Sequence, residues 1–267
     1  MSQDPFTELK NRQREMWASF GPTALFTTPV AGHVVRFAGI VAGETVLDIG
    51  TGTGVLAITA ARRGARVFGL DLTPELIEQA RENAAIARLP EINWKQGDAE
   101  ELPYPDASID VVVSQFGHMF APRSKVVVSE MRRVLKPGGR IAFATWPPEH
   151  FIGRMFAFVG RNSPPPPPGA DPPPQWGNPA LVAERLGNRF DAPFFERGVM
   201  KFSALSIPHF RLFMERSVGP MQKLVESMAG DPEKLERFRA EFDALATPYH
   251  FDNAIHQDYL LTRAHAA

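Results

Sequence analysis

Val46-Leu47-Asp48-Ile49-Gly50-Thr51-Gly52-Thr53-Gly54 is the stretch around which the chain is organised. A short apolar run carrying one acid leads into three alternating glycines, and a helix-like pattern of Val55, Leu56, Ile58 and Ala61 follows at once. Such glycines serve turns with positive φ, or a ligand approaching too closely for a Cβ. Strand, glycine turn and helix N-terminus bring amide N–H groups and the positive end of a helix dipole to one corner, a place suited to a nucleotide. Dinucleotide enzymes use G-x-G-x-x-G there, its third glycine admitting close helix–strand packing. Here the third glycine comes one residue early, at Gly54, with the β-branched Val55 behind it, and Asp48 precedes the first glycine by two residues. A carboxylate so placed repels a pyrophosphate and suits a cationic ammonium group.

Outward from this corner, strand and helix alternate. Strands are expected over 45–49, 65–71, 92–96, 109–115 and 140–146, and helices over 55–63, 74–89 and 124–135. Residues 109–115 are solidly apolar in the middle, as a strand buried on both faces is. This order predicts an α/β fold with a parallel, doubly wound sheet. Before it, residues 5–20 read as a polar amphipathic helix broken by Gly21-Pro22. Thr28-Pro29 reads as the cap of a second helix carrying Val30, Val34, Phe37 and Val41 and ending at Gly43. After Trp146, residues 147–177 show few helix or strand signals. A short helix is expected from Asn178-Pro179 to about 186, and a strand over 194–202. Residues 207–228 are helical with a break at Gly219-Pro220, Asp231-Pro232 caps a helix to about 245, and a last strand covers 254–263. The organisation expected is one compact domain: an N-terminal helical cap (1–43), the α/β core (44–146), a proline-rich insert (147–193), and C-terminal strands carrying a helical insert (194–267).

The 267 residues are 44 % hydrophobic and 22 % charged, ordinary for a chain with a buried core. Lys plus Arg is 29 against 30 for Asp plus Glu, a net charge of −1, which lacks the basic footprint of a nucleic-acid binder. Zero cysteines exclude disulfides, thiolate metal sites and cysteine nucleophiles, and fit a cytoplasmic protein. Met1-Ser2-Gln3-Asp4-Pro5 has no basic, then apolar, signal-peptide character, and no apolar run is long enough to cross a membrane. No H-x₃-H, H-E-x-x-H or carboxylate cluster suggests a metal.

The pattern D-x-G-x-G-x-G resembles motif I of the class I S-adenosylmethionine-dependent methyltransferases, and the resemblance runs in order over residues 45–146. Gly69-Leu70-Asp71 resembles the end of the second strand, and Gly97-Asp98-Ala99 the loop after the third. Arg133-Val134-Leu135-Lys136-Pro137-Gly138-Gly139 resembles the turn before the fifth. The resemblance implies a Rossmann-like, seven-stranded, mostly parallel sheet with an antiparallel edge pair, for which 194–202 and 254–263 are the candidates. It also implies S-adenosylmethionine as cofactor, with S-adenosylhomocysteine as product. Gly50, Thr51, Gly52 and Gly54 would line the methionyl portion, with Asp48 near its sulfonium and amino end. Asp71 would accept from both ribose hydroxyls. Leu72 and Ala99 would pack on the adenine, Asp98 would read its amino group, and Ser114, Gln115 and Phe116 would leave the fourth strand beside the methionyl group. The turn and layout look most like the ubiquinone/menaquinone-biosynthesis type, but Ser19-Phe20-Gly21-Pro22-Thr23-Ala24-Leu25 and the proline insert depart from it.

Methyl transfer needs an acceptor held in line with the S–CH₃ bond and water excluded. An oxygen or carbon acceptor often needs a base as well, and His118, four residues past Ser114, is the best-placed histidine. Phe151, Phe156, Phe158, Phe210, Phe213, Met214, Met221 and Met228 serve either a lid core or an apolar acceptor pocket. Eight of the eleven residues 164–174 are proline, read as a stiff spacer placing Trp176 over the crevice or as an exposed ligand for a proline-recognising domain. The expected function is methyl transfer to a small, partly apolar molecule, without nucleic acid or membrane insertion. The alternatives are a nicotinamide-dependent oxidoreductase and a non-catalytic S-adenosylmethionine-binding or interaction module.

Overall fold

The computed structural model describes residues 5–18 and 20–267. The polar start at residues 1–4 and Ser19, in the first expected helix, lie outside the described residues.

The parallel core forms as the alternation requires. Strands β1 (Thr45–Ile49), β2 (Arg66–Asp71), β3 (Asn93–Gln96), β4 (Ile109–Gln115) and β5 (Leu135–Thr145) are linked by α3 (Val55–Ala61), α4 (Pro74–Ile86) and α5 (Ser124–Val134). Parallel strands joined by right-handed crossovers put α3 and α4 on one face of the sheet and α5 on the other. In α5 the residues Val127, Val128, Met131 and Val134 are buried at helical spacing, so one stripe covers the sheet. β5 begins before the turn at Pro137-Gly138-Gly139, and regular pairing with β4 resumes at Val111↔Arg140 after a register shift.

The sheet order is β3-β2-β1-β4-β5-β8-β6, where β6 is Phe194–Ser203 and β8 is Ala254–His265. β8 is antiparallel to both neighbours, and its pairing with β6 runs unbroken from Phe194↔Arg263 to Ser203↔Ala254. The expected antiparallel edge is therefore present. A two-residue strand, β7 (His250–Phe251), adds to β8 through Asp252 and Asn253, both at positive φ (52° and 54°), as a tight hairpin turn requires.

Two expectations outside the core are corrected. Thr28-Pro29 does not start a helix: α1 (Thr7–Trp17) is followed by α2 (Gly21–Ala38), which runs through Pro29. The Ala24 carbonyl takes the hydroxyls of Thr27 (2.8 Å) and Thr28 (3.5 Å), and Leu25, whose carbonyl loses its donor to Pro29, is a 74 % exposed residue on the solvent side. Past the proline, Val30, Ala31, Val34 and Ala38 are buried, and this packing outweighs the local break. Gly39, at φ 64°, ends the helix earlier than Gly43. The second correction is α6 (Phe151–Arg161), inside a stretch with few expected elements. Its Phe151, Ile152, Met155 and Phe158 are buried on one face.

The remaining helices are α7 (Pro179–Leu186), capped by the Asn178 side chain, α8 (Ile207–Ser217), α9 (Gly219–Ser227) and α10 (Pro232–Ala246). Phe151 and Phe158 of α6 meet Phe210 of α8 and Phe238 and Phe242 of α10, with Phe158–Phe238 ring centroids 4.8 Å apart. These rings form the core of a helical lid over the carboxyl ends of the strands. Phe156, Met214 and Met221 line the space beneath it, so the two readings of the outer aromatic and methionine residues hold for different side chains.

Candidate active site

A cavity of about 1240 Å³ lies beneath the lid at the carboxyl ends of β1, β2, β4 and β5. Ligand crevices of open α/β sheets lie in that place.

At one end the glycine corner is built as a close crossing. Gly50 (φ 65°) passes so near the β4 exit that a Cβ on it would lie 2.6 Å from the Gly117 Cα, and one on Gly117 would lie 2.3 Å from the Gly50 carbonyl. At Gly54 (φ 83°) a Cβ would strike the Trp94 ring at 2.6 Å, so this glycine serves packing. Gly52 differs: at φ 56° it lines the cavity, and nothing lies within 4 Å of the space a Cβ would take. Of the three, Gly52 is the position whose missing side chain leaves room for a ligand.

Asp48 is fully buried at the end of β1 and borders the cavity. Its Oδ2 accepts from the Thr51 hydroxyl (2.6 Å) and the Ala57 N–H of α3 (3.1 Å), while Oδ1 has no partner among the described residues. Burial, opposed by these two hydrogen bonds, pushes its pKa up to about 7. A carboxylate without a counter-charge and with one free oxygen fits an ammonium or sulfonium neighbour. Asp71, at the end of β2, accepts from the Gly52 N–H (2.8 Å) on Oδ2 and the Thr73 N–H (2.9 Å) on Oδ1. Burial raises its pKa as well. The Thr73 hydroxyl and the Leu72 N–H also support the carboxylate, which lines the cavity where a hydroxyl can approach it. These groups fit S-adenosylmethionine at its methionyl and ribose portions.

Leu72, Asp98 and Ala99 line the same end. Asp98 is already engaged: Oδ1 accepts from the Glu100 N–H (2.9 Å), and Oδ2 meets the Lys10 ammonium at 2.8 Å. Lys10 also reaches the buried Glu100 (2.6 Å), which is bound in turn by Arg123 (2.6 Å). Helix α1 is thus tied by its cation to the loop after β3, a link with no sequence motif to announce it.

The β4 exit divides its three expected ligands. Phe116 lines the cavity with φ at 63°, uncommon for an aromatic residue, and stacks on Trp146 with centroids 3.8 Å apart. Gln115 also lines the cavity; its Nε2 donates to the Thr27 carbonyl (2.8 Å), and its Oε1 has no partner among the described residues. Ser114 is corrected. It is fully buried, donates to the Ile49 carbonyl (2.6 Å) and accepts from the His118 N–H (3.0 Å), so it fastens β4 to β1 and does not line the cavity.

His118 as a base is corrected too. The residue is 1 % exposed, its ring wedged against Phe143 (4.5 Å) and Trp176 (4.6 Å), with neither nitrogen hydrogen-bonded among the described residues. Burial and the nearby Arg185 charge push its pKa down to about 3, so near neutral pH the imidazole is neutral and only weakly basic. Trp176 is likewise under the surface and not over the crevice. It is fully buried, and its carbonyl accepts from the Thr145 hydroxyl (2.9 Å). The prolines preceding it, Pro164–Pro166 and Pro172–Pro174, line the cavity themselves, held by the Asp171 N–H donating to the Pro122 carbonyl (2.8 Å).

Beyond Phe116 and Trp146 the cavity opens into an apolar chamber under α1, α6, α8 and α9, with Trp17, Met155, Met200, Phe202, Met214 and Met221 among its walls. The apolar-pocket reading of the outer aromatic and methionine residues did not include Trp146, Met200 or Gln257. Trp146 was findable as the residue ending the fifth strand, where site residues collect in this fold class.

A family model described as a methyltransferase domain matches residues 47–143. An uncharacterized protein of Mycobacterium tuberculosis is 32 % identical over 255 residues, covering 94 % of this chain and 93 % of that protein. A demethylmenaquinone methyltransferase of Deinococcus radiodurans is 42 % identical over 134 residues, 44 % of this chain and 55 % of that protein, so the quinone-type likeness is partial. Among solved structures, the YcgJ protein of Bacillus subtilis is similar with a TM-score of 0.60 at 21 % identity, covering 88 % of this chain and 97 % of that one. That likeness is one of fold. With the acid-and-glycine corner and the methyltransferase-domain match in agreement, the oxidoreductase alternative falls away: the chain belongs to the class I S-adenosylmethionine-dependent methyltransferases.

Proposed function

We propose that this enzyme methylates a small, partly apolar organic molecule by in-line displacement. The observation that carries the proposal is the continuity of the cavity: the carboxylate corner of Asp48 and Asp71 and the apolar chamber are one space, joined past the stacked Phe116 and Trp146. When bound, S-adenosylmethionine supplies a sulfonium methyl and leaves as S-adenosylhomocysteine. Asp71 and the Gly52 N–H it holds fix the ribose, and Asp48 balances the positive end. The lid and the proline wall exclude water and hold the acceptor against the methyl, where positioning supplies the rate. With His118 neutral and packed, the acceptor arrives with its own nucleophilic atom.

The near-neutral net charge of −1 supports a small molecule over nucleic acid. Among the described residues no helix is long and apolar enough to cross a membrane. On the cysteine-free sequence we place the enzyme in the cytoplasm. The test is calorimetry of S-adenosylmethionine with the wild type and Asp71→Ala, followed by turnover of methyl-labelled cofactor over neutral, anionic and cationic small acceptors. Micromolar-range binding lost in Asp71→Ala, with label passing to neutral acceptors, is expected. Tight NAD binding without S-adenosylmethionine binding, or label passing only to charged acceptors, overturns the proposal.

A further inference from the structure

The acceptor chamber contains a buried amide side chain that no hydrogen bond among the described residues uses. Gln257, on β8 opposite Met200 of β6, is 4 % exposed and lines the cavity. Its carboxamide makes no hydrogen bond among the described residues. The neighbouring walls are apolar: Met200 and Phe202 come from β6, Phe26 of α2 stacks on Phe202 at 3.9 Å, and Met214 and Met221 close from the lid. Its N–H₂ and C=O are not among the buried polar atoms shut off without a partner, so the carboxamide stays open to the cavity. A polar group that faces an otherwise apolar chamber and is not used by the fold is placed to pair with a molecule that enters it.

The charges around the cavity narrow what that partner is. Lys10, Asp48, Asp71 and Asp98 belong to the cofactor end. Asp171 is taken by the Ser124 N–H (3.0 Å), and Arg161 and Lys223 are exposed at the rim. Among the described residues, no charged side chain faces Gln257 from the chamber walls. An anionic or cationic acceptor group would be desolvated there without a counter-charge. An amide, which donates and accepts, satisfies a neutral group of either kind.

We propose that Gln257 is the specificity-determining residue of the acceptor chamber, its carboxamide hydrogen-bonding one neutral polar group, a hydroxyl, phenol, carbonyl or amide, on an otherwise apolar acceptor body. This rests on the methyl-transfer reading and names the acceptor class for it. Sites that hydrogen-bond a substrate hydroxyl reject analogues lacking it far more strongly than apolar pockets reject a missing methyl.

The experiment uses the S-adenosylhomocysteine-loaded protein and four probes on one apolar body: 1-hydroxypyrene, 1-methylpyrene, 1-pyrenecarboxylate and 1-pyrenemethylammonium. Binding is read by energy transfer from tryptophan to pyrene. In the wild type, 1-hydroxypyrene is expected to bind about tenfold or more tightly than each of the others. In Gln257→Met, which conserves shape and removes both polar groups, 1-hydroxypyrene and 1-methylpyrene become equal while S-adenosylhomocysteine affinity stays within twofold. Gln257→Leu provides a second variant if the first misfolds. A wild type that prefers a charged probe, shows no preference, or takes up none of the four overturns the inference, as does a hydroxyl preference that survives both substitutions. Failure of the wild type to bind S-adenosylhomocysteine would sink the methyl-transfer reading instead, so the two failures are distinct.

Discussion

Asp48 ties folding stability to pH in a direction opposite to that of most paired carboxylates. Its pKa rises from 3.8 when unfolded to about 7 when folded, because the group is fully buried without a counter-charge. For a folded pKa above the unfolded one, nothing is lost while both states are protonated, below pH 4. The penalty then grows through the window from 4 to 7 and is constant above it. With 1.36 kcal/mol for each pKa unit, it reaches about 4 kcal/mol at high pH, and more than half of that appears between pH 5 and pH 8. In Asp48→Asn the amide oxygen can keep the Thr51 and Ala57 hydrogen bonds, and the substitution removes the charge. Urea unfolding of the cofactor-free protein at pH 5 and pH 8 should therefore show the variant gaining on the wild type by about 2–3 kcal/mol over that interval. Calorimetry should show the reverse for ligand: Asp48→Asn binds S-adenosylmethionine at least tenfold more weakly. Near pH 6 the wild type should release a proton on binding, seen as a heat that depends on the buffer. A stability difference that does not change with pH, or binding without proton release, would refute the account of a buried acid awaiting a cation.

Three further outcomes follow from the geometry. His118→Leu should change stability by no more than about 1 kcal/mol, since it removes two unpartnered ring nitrogens, and should leave the pH profile of kcat/KM unaltered; loss of a basic limb would restore His118 as a base. Gly52→Ala should cost about 1–2 kcal/mol for its left-handed backbone but cut S-adenosylmethionine affinity well beyond that, because the Cβ enters space open to the ligand. Gly117→Ala should cost more than about 3 kcal/mol in unfolding experiments, because its Cβ would meet the Gly50 carbonyl; a mild effect would show that the crossing of β1 and β4 yields easily.

The acid-and-glycine end of the cavity was legible because its signals are local. A strand, its glycine turn and the next helix are contiguous in sequence, and Asp71 and Asp98 follow at the ends of the next strands in order. The edge pair of β6 and β8 was legible from its apolar runs. Other features depended on distant chain. Ser114 reads as a ligand until Ile49 and His118 are seen to use its hydroxyl. His118 reads as a base until Phe143 and Trp176 close on it. Pro29 reads as a helix start because its local preference is real, and only the buried Val30, Ala31 and Val34 explain why the helix continues. Helix α6 was findable from Phe151, Ile152, Met155 and Phe158, but the adjoining prolines drew the reading toward loop. Gln257 gave no signal, since one glutamine in a strand pattern reads as a solvent-facing position until β6 and the lid enclose it.

The proline stretch along the cavity has a consequence for how the chamber is held ready. Fixing an ordinary loop residue costs about 1–2 kcal/mol of backbone entropy, whereas a proline ring has already fixed φ in the unfolded chain. A wall using Pro164–Pro166 and Pro172–Pro174 is therefore ordered at lower entropic cost than a loop of other residues, and less of the acceptor's binding energy is needed to shape it. Prolines also carry no N–H. That side of the chamber can accept a hydrogen bond through its carbonyls but its prolines cannot donate one, so a carbonyl-bearing acceptor must look to a side chain, and Gln257 supplies an N–H₂ there.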